Sequence, residues 1–194
     1  MSLSFLTALL YRDPAVIFAT VVYGSVSLVI SFFDSRGDKQ ASVAAAWARM
    51  LLRIAGVRVN VVGLDKIAPD GSYVFVANHV SYMDTPVALA AIPARFRFLA
   101  NDYLFRIPFL GTHLTRAGHI PVVQGKARES VRALNEAGKI IRARKISVVV
   151  FPEGGRSPDG NLGEFHEGAA FIAIKAGVPL VPVALTGMFH ILPM

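Results

Sequence analysis

The sequence predicts an α/β domain whose mostly parallel central sheet is flanked by helices, preceded by an N-terminal two-helix motif that engages a membrane. Three observations predict it. From Tyr73 onward, short apolar runs alternate with longer helical patterns, as strands joined by crossover helices do. One of these runs, Ile146 to Phe151, is apolar but for Ser147, as a strand buried on both faces is. Ahead of them, Pro14 to Phe33 carries no charge and is long enough to span or deeply enter a bilayer. The division is accordingly residues 1–55 for the membrane-associating helix pair and 56–194 for the α/β domain.

Taken in order, the uncharged run is bracketed by Arg12-Asp13 and by Asp34-Ser35-Arg36 and does not resemble a cleaved leader, because no positive charge precedes Arg12. Lys39 to Ala55 follows the turn at Gly37 and places Val43, Trp47, Met50, Leu51 and Ile54 on one stripe, with Ser42, Arg49 and Arg53 on another. This is an amphipathic basic helix. Val57, Val59 and Val61 alternate with Arg58 and Asn60, which predicts a strand, and Pro69-Asp70-Gly71 predicts a turn into a second strand at Tyr73 to Ala77. Then come a helix at 86–92, a strand at 95–100, a short helix at 108–116 and a strand at 119–123. A long basic helix at 126–145, the strand 146–151, a helix at 168–176 and a last strand at 179–185 complete the pattern.

Composition sets the class of partner. Of the 194 residues, 54% are hydrophobic and only 17% charged, which is apolar for a soluble protein and points to a membrane. The absence of cysteine excludes disulfides, thiolate nucleophiles and cysteine-ligated zinc. The net charge of +7 suits anionic lipid or phosphorylated substrates, and it would suit nucleic acid equally.

Two stretches carry chemistry. Asn78-His79-Val80-Ser81-Tyr82-Met83-Asp84 follows a strand directly and precedes a helix start at Thr85-Pro86, so His79 and Asp84 share a strand-to-helix loop. A loop is required, since residues five apart on one helix point about 140° away from each other. There Asp84 can fix the imidazole tautomer and leave the other ring nitrogen as a base, although the spacing alone also describes a turn histidine beside a capping aspartate. The second stretch, Phe151-Pro152-Glu153-Gly154-Gly155-Arg156-Ser157, also ends a strand, where ligands of open α/β sheets gather. Its glycines let backbone approach a ligand, and the planar fork of Arg156 suits phosphate. It lacks the Gly-Lys-Ser/Thr ending of a nucleotide P-loop, and no Gly-x-Ser-x-Gly elbow occurs in the chain. His79, His113, His119, His166 and His190 show no metal-ligand spacing, so no metal is expected.

Together, Asn-His-x-Ser-x-x-Asp at 78–84, Phe-Pro-Glu-Gly-x-Arg-Ser at 151–157 and Val181-Pro182-Val183-Ala184 resemble three of the four sequence blocks of the glycerolipid acyltransferases. The order and spacing are similar to those of bacterial 1-acylglycerol-3-phosphate acyltransferases over residues 57–187. The resemblance implies transfer of a fatty acyl group from an acyl-CoA or acyl carrier protein thioester to the hydroxyl of lysophosphatidic acid, with no cofactor beyond that co-substrate. It makes His79 the base and Asp84 its orienting partner, and it assigns Glu153, Gly154, Gly155, Arg156 and Ser157 to acceptor binding. Gly118 to Gln124 stands where the remaining block falls. The expected partners are membrane lipids and the acyl donor rather than nucleic acid, and the expected place is the cytoplasmic face of the inner membrane. The chain departs from the pattern where Gly155 replaces threonine, Gln124 replaces arginine and Asn101 replaces lysine. The last two remove positive charge and leave open a zwitterionic lysophospholipid or lyso-aminolipid acceptor, or a lipid-binding protein without catalysis.

Overall fold

The computed structural model describes residues 7–68, 70–123 and 125–192. A π-helical turn at Ala8–Arg12 runs into α1 (Asp13–Ser31), which turns at Gly37 into α2 (Asp38–Ala55). The domain continues β1 (Val74–Ala77), α3 (Asp84–Ala91), β2 (Phe96–Asn101), α4 (Leu110–Arg116) and β3 (Ile120–Val122). It closes with α5 (Ala127–Arg144), β4 (Ser147–Val150), α6 (Gly168–Ala176) and β5 (Leu180–Val183). The five strands lie in the order β3-β2-β4-β1-β5, and every pairing is parallel.

Alternation along the strands divides the core between the two faces of the sheet. Val74, Val148 and Val150 face α5 and α6, where Ala137, Ile141 and Ile172 meet them. Phe75, Val149, Phe96 and Phe98 point the other way, against Ala88 of α3. The helix pair is not a free appendage, because Leu52 of α2 packs with Val80, Met83 and Val87 around α3. Pro182 is accommodated because β5 is an edge strand, where a missing N–H breaks no ladder.

The alternating valines at 57–61 form no strand. Gly56 ends α2 in the left-handed region, and the Val57 N–H folds back to the Leu52 carbonyl at 2.8 Å, a helix-terminating motif that sends the chain across the surface. Val59, Val61 and Val62 are consequently exposed and pair with no neighbouring strand. A 3₁₀ turn at Asp102–Arg106, which the sequence pattern did not signal, separates β2 from α4.

One buried guanidinium fastens the helix pair to the sheet. Arg97 of β2, only 1% exposed, donates to Asp38 Oδ1 at 2.8 Å, to the Arg36 carbonyl at 2.8 Å and to the Phe96 carbonyl at 2.9 Å. The other Asp38 oxygen meets Arg95 at 3.4 Å, where the arginine is 60% exposed. Removing one partner of a buried pair costs about 3–5 kcal/mol, whereas an exposed pair is worth about 0–1 kcal/mol. Asp38→Ala should therefore lower the urea midpoint in detergent markedly and Arg95→Ala hardly at all; equal effects would show that the Arg97 contact does not hold the helices.

Candidate active site

The carboxyl ends of β1, β2 and β4 open on one side of the sheet, and the histidine loop lies there. Asp84, with 0% exposure, turns Oδ2 inward along the loop, where it accepts from Val80 N–H at 2.7 Å and Ser81 N–H at 2.8 Å. His79 Nδ1 approaches the same oxygen at 2.8 Å. Two backbone donors make Oδ2 an acceptor, so the shared proton belongs to Nδ1 and Nε2 keeps its lone pair. The imidazole stacks on Phe151 with centroids 4.0 Å apart, which fixes its plane. Asp84 opens α3, where a negative charge is favoured by the helix dipole.

The glycine-rich stretch after β4 braces this loop. Glu153 Oε1 accepts from His79 N–H at 2.7 Å, and its Oε2 accepts from Gly163 N–H at 3.0 Å. Ser157 N–H donates to the His79 carbonyl at 2.8 Å, and the Ser157 hydroxyl turns to Asp159. Both backbone groups of the histidine are thus held by the 153–157 stretch, and Glu153 serves as a strut. Arg156 lays its guanidinium 3.9 Å above the Tyr82 ring, and its Nε has no hydrogen-bond partner among the described residues. Gly155 is exposed beside it, and Gly154 is exposed at a positive φ. With Glu153, Arg156 and Ser157, Gly155 lines an open cleft of about 400 Å³.

The remaining sequence candidates divide. Asn101, at the same sheet end but two strands from β1, spends its side chain accepting from Tyr103 N–H at the start of the 3₁₀ turn. Gly118 precedes β3 and sits near Arg97 and Arg144, at the opposite end of the sheet from His79. Parallel strands put the residues before them on the far side from the residues after them, so Gly118 is not brought to the histidine. Gln124 lies outside the described residues.

Two residues inside the first motif have roles that spacing does not reveal. Asn78 exchanges two hydrogen bonds with the Leu185 backbone, at 3.0 and 2.7 Å, and Ser81 donates to the Leu192 carbonyl at 2.6 Å. Their position beside His79 was the available signal.

Beside the loop lies an apolar cavity of about 680 Å³, bordered by Gly24 of α1, Trp47 of α2, Thr85 and Leu89 of α3, Phe98 of β2 and Phe109 before α4. Phe98 stacks on Phe151, which stacks on His79, so two aromatic rings separate the cavity from the histidine. His113 and His119 also border it. Phe98 N–H donates to His119 Nδ1 at 2.9 Å, which fixes that ring as the neutral Nε2–H form. Among the described residues, no group of three or more His, Cys, Asp or Glu side chains could hold a metal.

The acyltransferase family matches residues 58–186. A chloroplastic 1-acyl-sn-glycerol-3-phosphate acyltransferase of Arabidopsis thaliana is 33% identical over 85% of this chain and 46% of its own length. A 1-acyl-sn-glycerol-3-phosphate acyltransferase of Borreliella burgdorferi is 31% identical over 72% of this chain and 56% of its own. The chain thus spans about half the length of the curated relatives it matches. The crystal structure of the 1-acyl-sn-glycerophosphate acyltransferase of Thermotoga maritima superposes with a TM-score of 0.76 at 29% identity, covering 95% of this chain and 76% of that one.

Burial, with smaller contributions from His113 and Arg97, pushes the His119 pKa down from 6.5 to about 3. The unfolded chain therefore binds a proton between those values that the folded chain refuses, and folding stability falls as pH drops from about 6.5 toward 3. His119→Asn keeps an acceptor for Phe98 N–H but cannot titrate. Urea midpoints at pH 7 and pH 4.5 should differ less in this variant than in the wild type; an unchanged difference would assign the acid loss to other groups.

Proposed function

Because the chain belongs to the acyltransferase family, we propose that it transfers a fatty acyl group from a thioester to the free hydroxyl of lysophosphatidic acid, giving phosphatidic acid. The observation that carries this reading is the His79–Asp84 pair with an arginine of unused hydrogen-bonding capacity on the same loop system. Imidazole is far too weak a base to ionise a free alcohol outright, so proton removal accompanies attack. His79 Nε2 accepts the hydroxyl proton as the oxygen bonds to the thioester carbonyl carbon. The carbon–sulfur bond then breaks, and the imidazolium returns the proton to the departing thiolate, leaving an ester and a thiol. Asp84 holds the ring in register and stabilises its charged form. No acyl-enzyme is needed.

Arg156 is the proposed phosphate ligand, and Tyr82 supports its guanidinium from below. Arg116 is committed elsewhere, to Ser31 at 3.2 Å and to the Phe32 ring at 4.5 Å. The cavity beside Phe98 is the proposed place for the donor's acyl chain, its volume lying within the roughly 300–1,000 Å³ of ligand sites. Acyl-CoA and acyl carrier protein would both present such a chain. The apolar helix over Leu10–Ser31, with mean hydropathy 1.9, associates the chain with a membrane. The reading puts the reaction at the cytoplasmic face of the inner membrane, where a soluble donor meets a lipid acceptor.

The test is thioester consumption by the purified chain on vesicles carrying a panel of lysolipids. His79→Ala should lose about 10²- to 10⁴-fold in kcat while remaining folded by circular dichroism. Arg156→Ala should raise KM for lysophosphatidic acid specifically; a wild type that ignores this lipid and acylates a zwitterionic one would overturn the acceptor. A Cβ added at Gly24, which lines the cavity, meets no atom within 4 Å beyond its own helix. Gly24→Leu should therefore depress kcat/KM for long-chain thioesters more than for short ones; equal loss across chain lengths would remove the acyl chain from this cavity.

A further inference from the structure

Phe109 has an unusual backbone and an unusual position. With φ 64° and ψ −54° it is one of two non-glycine residues at positive φ among the described residues, and 77% of its surface is exposed. Leu110 N–H closes on the Pro108 carbonyl at 2.8 Å, so Phe109 is the centre of a γ-turn of the rare, strained hand. The turn is fixed from behind. Gly111 N–H reaches the Ile107 carbonyl at 2.7 Å, and a side chain at 111 would strike the Phe105 carbonyl. The chain thus holds a large aromatic ring outward in a conformation that glycine would adopt more easily.

Hydrogen bonds fix where that ring stands relative to the apolar helix. Ser27 pairs with His113, 86 positions later, and Ser31 pairs with Arg116, 85 positions later, so α4 runs parallel to α1 in constant register. The same offset brings Phe109 level with Tyr23 and Gly24. These three residues border the same cavity, which supports the register independently. Tyr23 and Gly24 stand near the middle of the apolar run, so a bilayer that receives this run also receives Phe109. Ile107 and Leu110 flank Phe109 as exposed apolar side chains.

We propose that Phe109 is a second lipid-inserting element, held out by its γ-turn beside the middle of α1 at the rim of the cavity. This rests on α1 being membrane-embedded and adds an occupant for a surface outside that helix, namely the acyl chains of one leaflet.

Trp47 is the sole tryptophan of the chain, so Phe109→Trp in a Trp47→Phe background gives a single reporter. Vesicles of phosphatidylcholine and phosphatidylglycerol carrying brominated acyl chains should quench it, and aqueous iodide should not. Co-sedimentation with quenching by iodide alone would overturn the proposal while leaving α1 membrane-bound. Protection from both quenchers would overturn it in favour of contact with a second copy of the chain. Failure to co-sediment would overturn it together with the membrane reading. Phe109→Gly, which suits the positive φ and so preserves the fold, should weaken vesicle partition by on the order of tenfold; unchanged partition would also overturn the proposal.

Discussion

A single carboxylate oxygen holds the loop in place. Asp84 Oδ2 collects three N–H groups from within six residues, two from backbone and one from the imidazole, in a site closed to solvent. A buried charge is tolerated only when hydrogen bonds replace its water, and bonds to charged groups are worth about 1.5–3 kcal/mol each. The loop must therefore curl around the oxygen, which is why β1 stops at Ala77 and α3 starts at Asp84 itself. The orientation of the His79 ring follows from the donors gathered on Oδ2, while Oδ1 is buried without a hydrogen-bond partner among the described residues. Glu153 and Ser157 then grip the peptide of the histidine from outside, so the second motif fixes the first before any substrate is considered.

The legible parts of this fold were those in which one residue pattern has one physical outcome. Val74 to Ala77 and Val148 to Val150 are apolar because parallel strands are covered on both faces, and their type was readable from that alone. The His79–Asp84 spacing demanded a loop, and a loop is what joins them. Val57, Val59 and Val61 misled because alternation describes a strand only when a partner exists, and Gly56 directs this segment away from the sheet. Gly118 lies away from His79 for a topological reason: a residue ahead of a parallel strand falls on the side opposite the strands' carboxyl ends. Glu153 was read as a substrate ligand because its motif was legible, whereas its hydrogen bonds to residues 79 and 163 come from chain distant in sequence. No local signal marks such a strut.

The helix pair and the domain are joined by polar contacts that a membrane would not disturb. Arg97 and Asp38 meet beneath the turn, and Gly37 lies so close to the Ala117 backbone that any side chain there would collide with it. Within the pair, Trp47 donates to Thr20 and Gln40 to Ser27, so these two hydroxyls of a largely apolar helix are engaged by protein. That leaves its outer surface, including Ile17, Phe18, Val22 and Val29, free of competing hydrogen-bond demands.

The edge position of β5 has a consequence for the order in which the chain is made. β1 lies between β4 and β5, and Asn78 is clamped by Leu185 while Ser81 reaches Leu192. The histidine loop therefore cannot close until residues 180–192 have left the ribosome, whereas the apolar helix emerges far earlier. At about 5–20 residues per second the interval is on the order of ten seconds. During it the apolar helix is already outside the ribosome while the loop around Asp84 is still open, so the helix is available to a bilayer before His79 is set in place.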